Sequence, residues 1–250
     1  MEVFDAHIHS EGRSVENLEE MAKAGIKKAL TCAFYPIKPN YPETLVDHFR
    51  KLREFEVERA KSVGMELHVA LGIHPRCIPP KYEMILEFMR DCTAFGEIGL
   101  ESASELEVEV FRKQLELAKE MDIPCVIHTP RRNKLEVTLK ILRILEDLDF
   151  PRDLAVIDHA TQETVRHILD SGFYAGLTVQ VGKLSVDEVV EIVDEFGFER
   201  FVLNSDIGFD KGDMFSTVKA VKALEDRFDK KDVERIAMKN ALKLFRIERC

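Results

Sequence analysis

Long apolar runs are absent from this chain of 250 residues. No stretch approaches the roughly 20 apolar residues that a membrane-spanning helix needs. The N-terminus also lacks a basic segment with a cleavage site, because strand-like sequence already begins at Glu2-Val3-Phe4. These absences predict a cytoplasmic protein that does not contact a membrane.

Cysteine is scarce, and no Cys-x-x-Cys pair occurs. The cysteines are odd in number and widely spaced: Cys32, Cys77, Cys92, Cys125 and Cys250. This usage predicts reduced thiols that pack in the core, and it argues against a disulfide framework or a zinc knuckle.

A surplus of basic residues is missing as well. The formal net charge of −10 argues against stable binding to duplex nucleic acid, which depends on a basic surface. A nucleic-acid substrate gripped at a metal ion is still compatible with this charge. No linker, solenoid repeat or low-complexity segment interrupts the chain, so a single domain over residues 1–250 is predicted.

What the chain does contain is a regular alternation of short β-branched runs with longer amphipathic segments. The predicted strands are Val3–His9, Ala29–Phe34, Glu66–Ile73, Ala94–Leu100, Cys125–His128, Leu154–Asp158, Phe173–Val179 and Phe201–Asn204. The predicted helices are Ser14–Ala24, Pro42–Val63, Tyr82–Cys92, Glu105–Met121, Leu135–Leu148, Gln162–Ser171, Ser185–Phe196, Met214–Phe228 and a last helix at Lys231–Phe245. Eight strand–helix units in one chain of this length predict a (β/α)8 TIM barrel with an extra C-terminal helix. A doubly wound open sheet is the alternative fold.

Histidines and acidic residues follow the predicted strands. His7 and His9 end the first strand, where alternation places both rings on one face, about 6–7 Å apart. The remaining candidates lie at or just beyond the ends of later strands, except Glu97, which lies within the fourth: His74, Glu97, His128, His159 and Asp206. Because the carboxyl ends of all barrel strands meet at one mouth, these side chains are expected to lie together.

Histidine and carboxylate ligands suit borderline divalent metal ions. One ion can be held by His7, His9 and Asp206, and a second ion by His128 and His159. The Glu97 carboxylate can lie between the two ions. One or two ions are expected, zinc first, with manganese, magnesium, nickel or cobalt as alternatives. Two ions can share a hydroxide that attacks the substrate, and Asp206 is then the candidate general base.

The order of these motifs resembles the TatD family of metal-dependent hydrolases, within the amidohydrolase superfamily. The motifs are Asp-Ala-His-Ile-His, Gly-Ile-His-Pro, Gly-Glu-Ile-Gly-Leu, Val-Ile-His, a lone His after strand 6 and Ser-Asp after strand 8, over residues 5–206. The resemblance implies a distorted (β/α)8 barrel, the same six metal ligands, and a catalytic or phosphate-facing place for His74. It also implies hydrolysis of a phosphodiester or phosphomonoester, because characterised members include metal-dependent deoxyribonucleases.

The positions expected to face the substrate depart from the family pattern. Glu101, a candidate substrate-binding residue, stands where the family usually has Asp, and Pro130 stands where it commonly has Arg. Arg131 and Arg132 follow, and with Lys134 they form a basic cluster that would suit a phosphate. A charge run beside a helix start is, however, more often solvated.

Two further acidic residues accompany the histidines. Asp5 is expected on the face of His7, one step deeper, either to orient a histidine or to serve as a buried anchor. Asp158 is expected to face away from His159, towards the helices, as a structural residue. The histidines outside the predicted site, His48, His68 and His167, are expected to be structural.

Three functions stay open at this point. The first is a phosphoester hydrolase or nuclease, with a small-molecule or nucleic-acid phosphoester as its partner. The second is a hydrolase of an amide, lactone or other ester, which would use the same ligands and differ in the charge at the mouth. The third is a non-catalytic barrel that serves as a binding scaffold, against which the complete ligand series speaks.

Overall fold

Eight parallel strands form one sheet in sequential order in the computed structural model, which describes residues 1–247. The strands are β1 Val3–Ile8, β2 Ile26–Cys32, β3 Glu66–Leu71, β4 Ala94–Gly99, β5 Cys125–His128, β6 Ala155–Ile157, β7 Tyr174–Thr178 and β8 Phe201–Asn204. The chain beyond β8 meets β1, where the Asp206 N–H donates to the His7 carbonyl at 2.9 Å. The His9 N–H donates to the Ile207 carbonyl at 2.8 Å. The sheet is therefore a nearly closed (β/α)8 barrel, which confirms the predicted fold.

Helices connect the strands on the outside of the barrel. They are α1 Val15–Ala24, α2 Glu43–Arg50, α3 Val57–Lys61, α4 Glu105–Met121, α5 Lys134–Asp147, α6 Gln162–Asp170, α7 Val186–Phe196, α8 Ser216–Glu225, α9 Lys230–Glu234 and α10 Asn240–Leu244. The serines predicted to start helices do so. The Ser14 hydroxyl accepts a hydrogen bond from the Asn17 N–H at 3.2 Å, and Ser185 forms a reciprocal capping pair with Glu188.

Three predicted helices have a different internal structure. A π-helical turn at Lys51–Glu56 joins α2 to α3, and another at Arg235–Lys239 joins α9 to α10. The segment Tyr82–Met89 is a 3₁₀ helix. An apolar spacing of three to four residues is shared by all three helix types, so the sequence pattern does not distinguish their hydrogen bonding.

The barrel interior is apolar at its lower end. Every strand contributes at least one buried side chain to this cluster: Phe4, Ala6, Leu30, Cys32, Ala70, Ala94, Val126, Val156, Tyr174 and Val202. Leu244 of α10 and the following Phe245 join it, and the Phe245 ring lies 6.0 Å from the Phe4 ring. The C-terminal helix therefore covers the bottom of the barrel, and the polar residues gather at the opposite end.

Two expectations drawn from the composition, on membrane helices and on cysteines, can be compared with the structure. Within residues 1–247, no helix is both long enough and apolar enough to cross a membrane. The four cysteines in that range, which end at Cys125, are free thiols. Cys250 lies outside the described residues.

Candidate metal centre

All seven residues predicted from strand ends lie at the carboxyl mouth of the barrel. They are His7, His9, His74, Glu97, His128, His159 and Asp206. Most of these side chains are buried, with His7 fully buried and Glu97 only 3% exposed. Burying so many ionisable groups in one place is costly unless they bind something or one another.

A first donor cluster consists of His7, His9, Glu97 and Asp206. The two histidine Nε2 atoms are 3.3 Å apart, and Asp206 Oδ1 lies 3.0 Å from His9 Nε2 and 3.5 Å from His7 Nε2. Glu97 Oε2 lies 3.6 Å from His7 Nε2. Ligands about 2.0–2.1 Å from a tetrahedral zinc ion are roughly 3.3–3.4 Å from one another. The spacing of these four atoms fits one such ion.

A second donor cluster uses the other oxygen of the same carboxylate. Glu97 Oε1 lies 2.7 Å from His128 Nδ1 and 3.0 Å from His159 Nε2. Glu97 therefore lies between the two clusters with one oxygen in each. The structure brings together the six residues predicted to bind two ions, and their role as ligands stays a prediction.

Hydrogen bonds on the far side of three rings determine which nitrogen faces the clusters. His7 Nδ1 lies 2.6 Å from Asp158 Oδ2, and His9 Nδ1 lies 2.9 Å from the Cys32 carbonyl oxygen. His159 Nδ1 lies 2.8 Å from the Thr178 hydroxyl. If each Nδ1 carries the ring proton and donates it to these oxygens, each Nε2 presents a lone pair to the clusters.

His74 differs from these histidines. Its Nδ1 accepts a hydrogen bond from the Arg76 N–H at 3.1 Å, so the proton of the neutral ring is on Nε2. Burial holds the pKa of His74 well below its usual value, which keeps the ring neutral. Nε2 lies 3.7 Å from Glu97 Oε2. His74 is therefore placed to donate a hydrogen bond at the mouth, as expected of a substrate-facing residue, and its ring also lies within a possible donor group with Glu97 and His128.

The prediction for Asp158 was wrong. Its carboxylate lies inside the barrel, where Oδ2 faces His7 Nδ1 and Oδ1 accepts from the Asn204 amide at 2.7 Å. Asp158 is two residues beyond Val156, which is in the inner cluster, so alternation directs it inward. His159 also points inward because its backbone is left-handed, with φ +58, and this breaks the alternation.

Asp5 does not share the face of His7. The register of β1 against β2 shifts between Asp5 and Ile8, so that Ala6 and His7 both lie on the inner side. Asp5 Oδ1 instead accepts a hydrogen bond from the Ser205 N–H at 2.9 Å. Two roles were expected for Asp5, and its contacts match the buried anchor. Its carboxylate holds the backbone beside Asp206.

The predicted substrate residues divide into two groups. Glu101 reaches the site, where its Oε2 lies 2.8 Å from His128 Nε2. Arg131 and Arg132 are exposed at the rim and make no hydrogen bond or ion pair within residues 1–247. Lys134 turns inward and donates to the Thr129 hydroxyl at 2.9 Å and to the His159 carbonyl at 2.7 Å.

Lys183 is the functional candidate that the sequence did not indicate. It lies between β7 and α7, its side chain is 11% exposed, and its ammonium donates to Asp206 Oδ2. Burial raises the pKa of Asp206, but His7 and Lys183 outweigh that effect and hold the pKa well below its usual range. A single lysine in a loop has no periodicity, so only its neighbours in space identify it.

Comparison with known proteins agrees with this geometry. A family model described as TatD related DNase matches residues 4–246. The chain belongs to the TatD family. An uncharacterized metal-dependent hydrolase of Methanocaldococcus jannaschii is 40% identical over 221 residues, which are 86% of this chain and 87% of that protein. The family, together with the donor clusters, makes this chain a metal-dependent hydrolase.

Solved structures extend the comparison to the fold. A TatD-like protein from Archaeoglobus fulgidus is 48% identical, with a TM-score of 0.87 over 98% of this chain and 100% of that one. A lactonase variant from Deinococcus radiodurans is 13% identical, with a TM-score of 0.68 over 97% of this chain and 95% of that one. At that identity the likeness shows a shared barrel alone.

Proposed function

We propose that this TatD-family chain hydrolyses a phosphoester with the help of one or two bound divalent ions. The donor chemistry supports this, because a carboxylate between two ligand sets suits a two-ion site. When bound, such ions would activate water and neutralise negative charge on the phosphoryl group. Zinc is the expected ion, since the ligands combine imidazole and carboxylate.

The observation that carries the choice of a phosphoester is positive charge on two sides of the clusters. Lys183 lies on one side, against Asp206. On the other side, Arg76 follows His74, and its guanidinium carbon lies 5.6 Å from the centre of the Phe34 ring. The Phe34 ring in turn lies 4.9 Å from the His74 ring. A neutral lactone or amide would not need these cations, whereas an anionic phosphoryl group among carboxylates would.

The side chains then have distinct roles in the proposed reaction. Asp206 Oδ1 faces the first donor cluster and is the candidate acceptor for the proton of the attacking water. His74 Nε2 is a neutral donor that can hydrogen-bond to an oxygen of the substrate. The Glu101 carboxylate contacts His128 and lies beside the second donor cluster, just after β4.

A substrate panel tests this function. The purified protein is loaded with zinc, manganese, cobalt, nickel or magnesium and assayed with a phosphodiester, a phosphomonoester, a lactone and an amide. We expect turnover of a phosphoester with at least one metal. Efficient lactone or amide turnover without phosphoesterase activity, for every metal, would reverse the proposal.

The basic rim offers a second test with a matched control. If the substrate carries phosphate, Arg131→Ala with Arg132→Ala should raise KM for a phosphodiester and weaken inhibition by free phosphate. Exposed side chains at a rim act mainly through long-range attraction, so the change should shrink at high salt. Arg143→Ala with Arg227→Ala removes two exposed arginines near the C-terminal ends of α5 and α8, away from the mouth, and should leave KM unchanged.

A further inference from the structure

The turn that carries Lys183 is closed by its own hydrogen bonds. Gln180 N donates to the Leu184 carbonyl at 3.1 Å, and Lys183 N donates to the Gln180 carbonyl at 2.9 Å. Gly182 has φ +75, a left-handed conformation that glycine adopts without strain. The backbone therefore holds Lys183 in a defined position rather than in a loose loop.

The Gln180 side chain ties this turn to the loop after β8. Its Oε1 accepts a hydrogen bond from the Asp213 N–H at 3.1 Å, and its Nε2 donates to the Ser205 carbonyl at 3.2 Å. Ser205 precedes Asp206, so the Gln180 side chain is connected to Asp206 through one hydrogen bond and one peptide unit. The position of Lys183 is thus fixed relative to Asp206.

The ammonium of Lys183 has more protons than internal acceptors. Within residues 1–247 its two polar contacts are Asp206 Oδ2 and His159 Nδ1, the latter at 3.1 Å. If the Nε2 lone pair of His159 binds a metal ion, as predicted for the second donor cluster, its Nδ1 carries the proton donated to Thr178 and cannot accept another. Two of the three N–H groups on Lys183 then lack an acceptor among the described residues. A largely buried ammonium in that condition is costly unless a ligand completes its hydrogen bonds.

We infer that Lys183 is the substrate-binding residue that selects an anionic oxygen beside the two donor clusters. Its free N–H groups bind a non-bridging oxygen of the phosphoryl group, while its third N–H holds Asp206 Oδ2. This inference rests on the proposed phosphoester hydrolysis, and it adds the residue that distinguishes an anionic substrate from a neutral ester.

The neighbouring cations do not compete for this role. Lys134 uses its ammonium on the Thr129 hydroxyl and the His159 carbonyl. Arg131 is exposed on the outer side of the turn. Its Nη1 lies 3.9 Å from the place where a Cβ on Gly182 would be. Among residues 1–247, Lys183 is therefore the cation that combines contact with Asp206 and unpaired N–H groups.

The test compares Lys183→Met with Lys183→Arg and with Lys222→Met, an exposed lysine of α8. Each metal-loaded variant is assayed for kcat and KM with a phosphodiester and for inhibition by inorganic phosphate. Titration calorimetry of the metal-free variants with zinc reports ligand-site integrity independently of turnover. We expect Lys183→Met to raise KM and the phosphate inhibition constant roughly 10- to 100-fold, the range for losing a hydrogen bond to a charged group. Zinc stoichiometry should not change, Lys183→Arg should recover most of the loss, and Lys222→Met should behave as the wild type.

Two outcomes would overturn the inference. Unchanged KM and phosphate inhibition in Lys183→Met would show that Lys183 does not bind the substrate. Loss of zinc binding in parallel with phosphate binding would show that Lys183 acts by positioning Asp206 alone. The proposed function fails separately, if the wild type has no phosphoesterase activity with any metal. In that case, calorimetry of inorganic phosphate binding to the wild type and to Lys183→Met still tests the anion contact.

Discussion

Asp158→Asn tests whether a buried hydrogen bond determines metal affinity in this site. Asp158 is 1% exposed and makes two short contacts, to His7 Nδ1 at 2.6 Å and from the Asn204 amide at 2.7 Å. Asparagine has nearly the same shape, and it can keep one oxygen for Asn204. Its amide group then faces His7 Nδ1 and donates to it, which moves the ring proton of His7 to Nε2. That nitrogen is the one that faces the first donor cluster.

The expected loss can be estimated from the same contact. Removing a partner that orients a metal-binding histidine typically lowers metal affinity 10- to 100-fold, which is about 1.4–2.8 kcal/mol. The metal-free fold should lose less, about 1 kcal/mol, because one hydrogen bond changes and no cavity opens. Calorimetric titration with zinc or manganese gives the affinity, and nitrogen NMR of the His7 ring gives the tautomer.

The control for this prediction is Asp170→Asn, at the exposed end of α6. It removes the same charge without touching the site and should leave metal affinity unchanged. Wild-type metal affinity in Asp158→Asn, with the His7 proton still on Nδ1, would refute the orienting role of Asp158.

Two further variants follow from the described contacts. Asp206→Asn should fold normally but lose turnover by roughly 100-fold or more, as expected for a proton-transfer residue; normal turnover in a folded, metal-loaded sample would remove Asp206 from the mechanism. Burial and the adjacent Lys51 lower the pKa of His48 to about 4. The unfolded chain therefore takes up a proton near pH 6.5 that the native state refuses until about pH 4, so His48 should cost about 2 kcal/mol of stability between pH 7.5 and pH 5. Urea unfolding at both pH values should show that His48→Gln loses less free energy of unfolding than the wild type between pH 7.5 and pH 5. The exposed His167→Gln should match the wild type.

The sequence by itself determined the order of the strands and which histidines and carboxylates meet at the mouth of the barrel. His7, His9, His128, His159 and Asp206 each follow an apolar, β-branched run, and Glu97 lies within one. Parallel strands in a barrel all end at the same mouth, so residues that are far apart in the chain become neighbours by topology alone. No side-chain detail was needed for that conclusion.

The tertiary structure alone decided which residues support the clusters. Asp158 was placed wrongly because the left-handed backbone of His159 turns its ring inward, and alternation holds only while the chain stays extended. The bulge in β1 likewise separates Asp5 from His7. Lys183 lies in a turn, where no periodicity links a side chain to a face. Its contact with Asp206 depends on how two loops pack together, and a local sequence pattern carries no information about that packing.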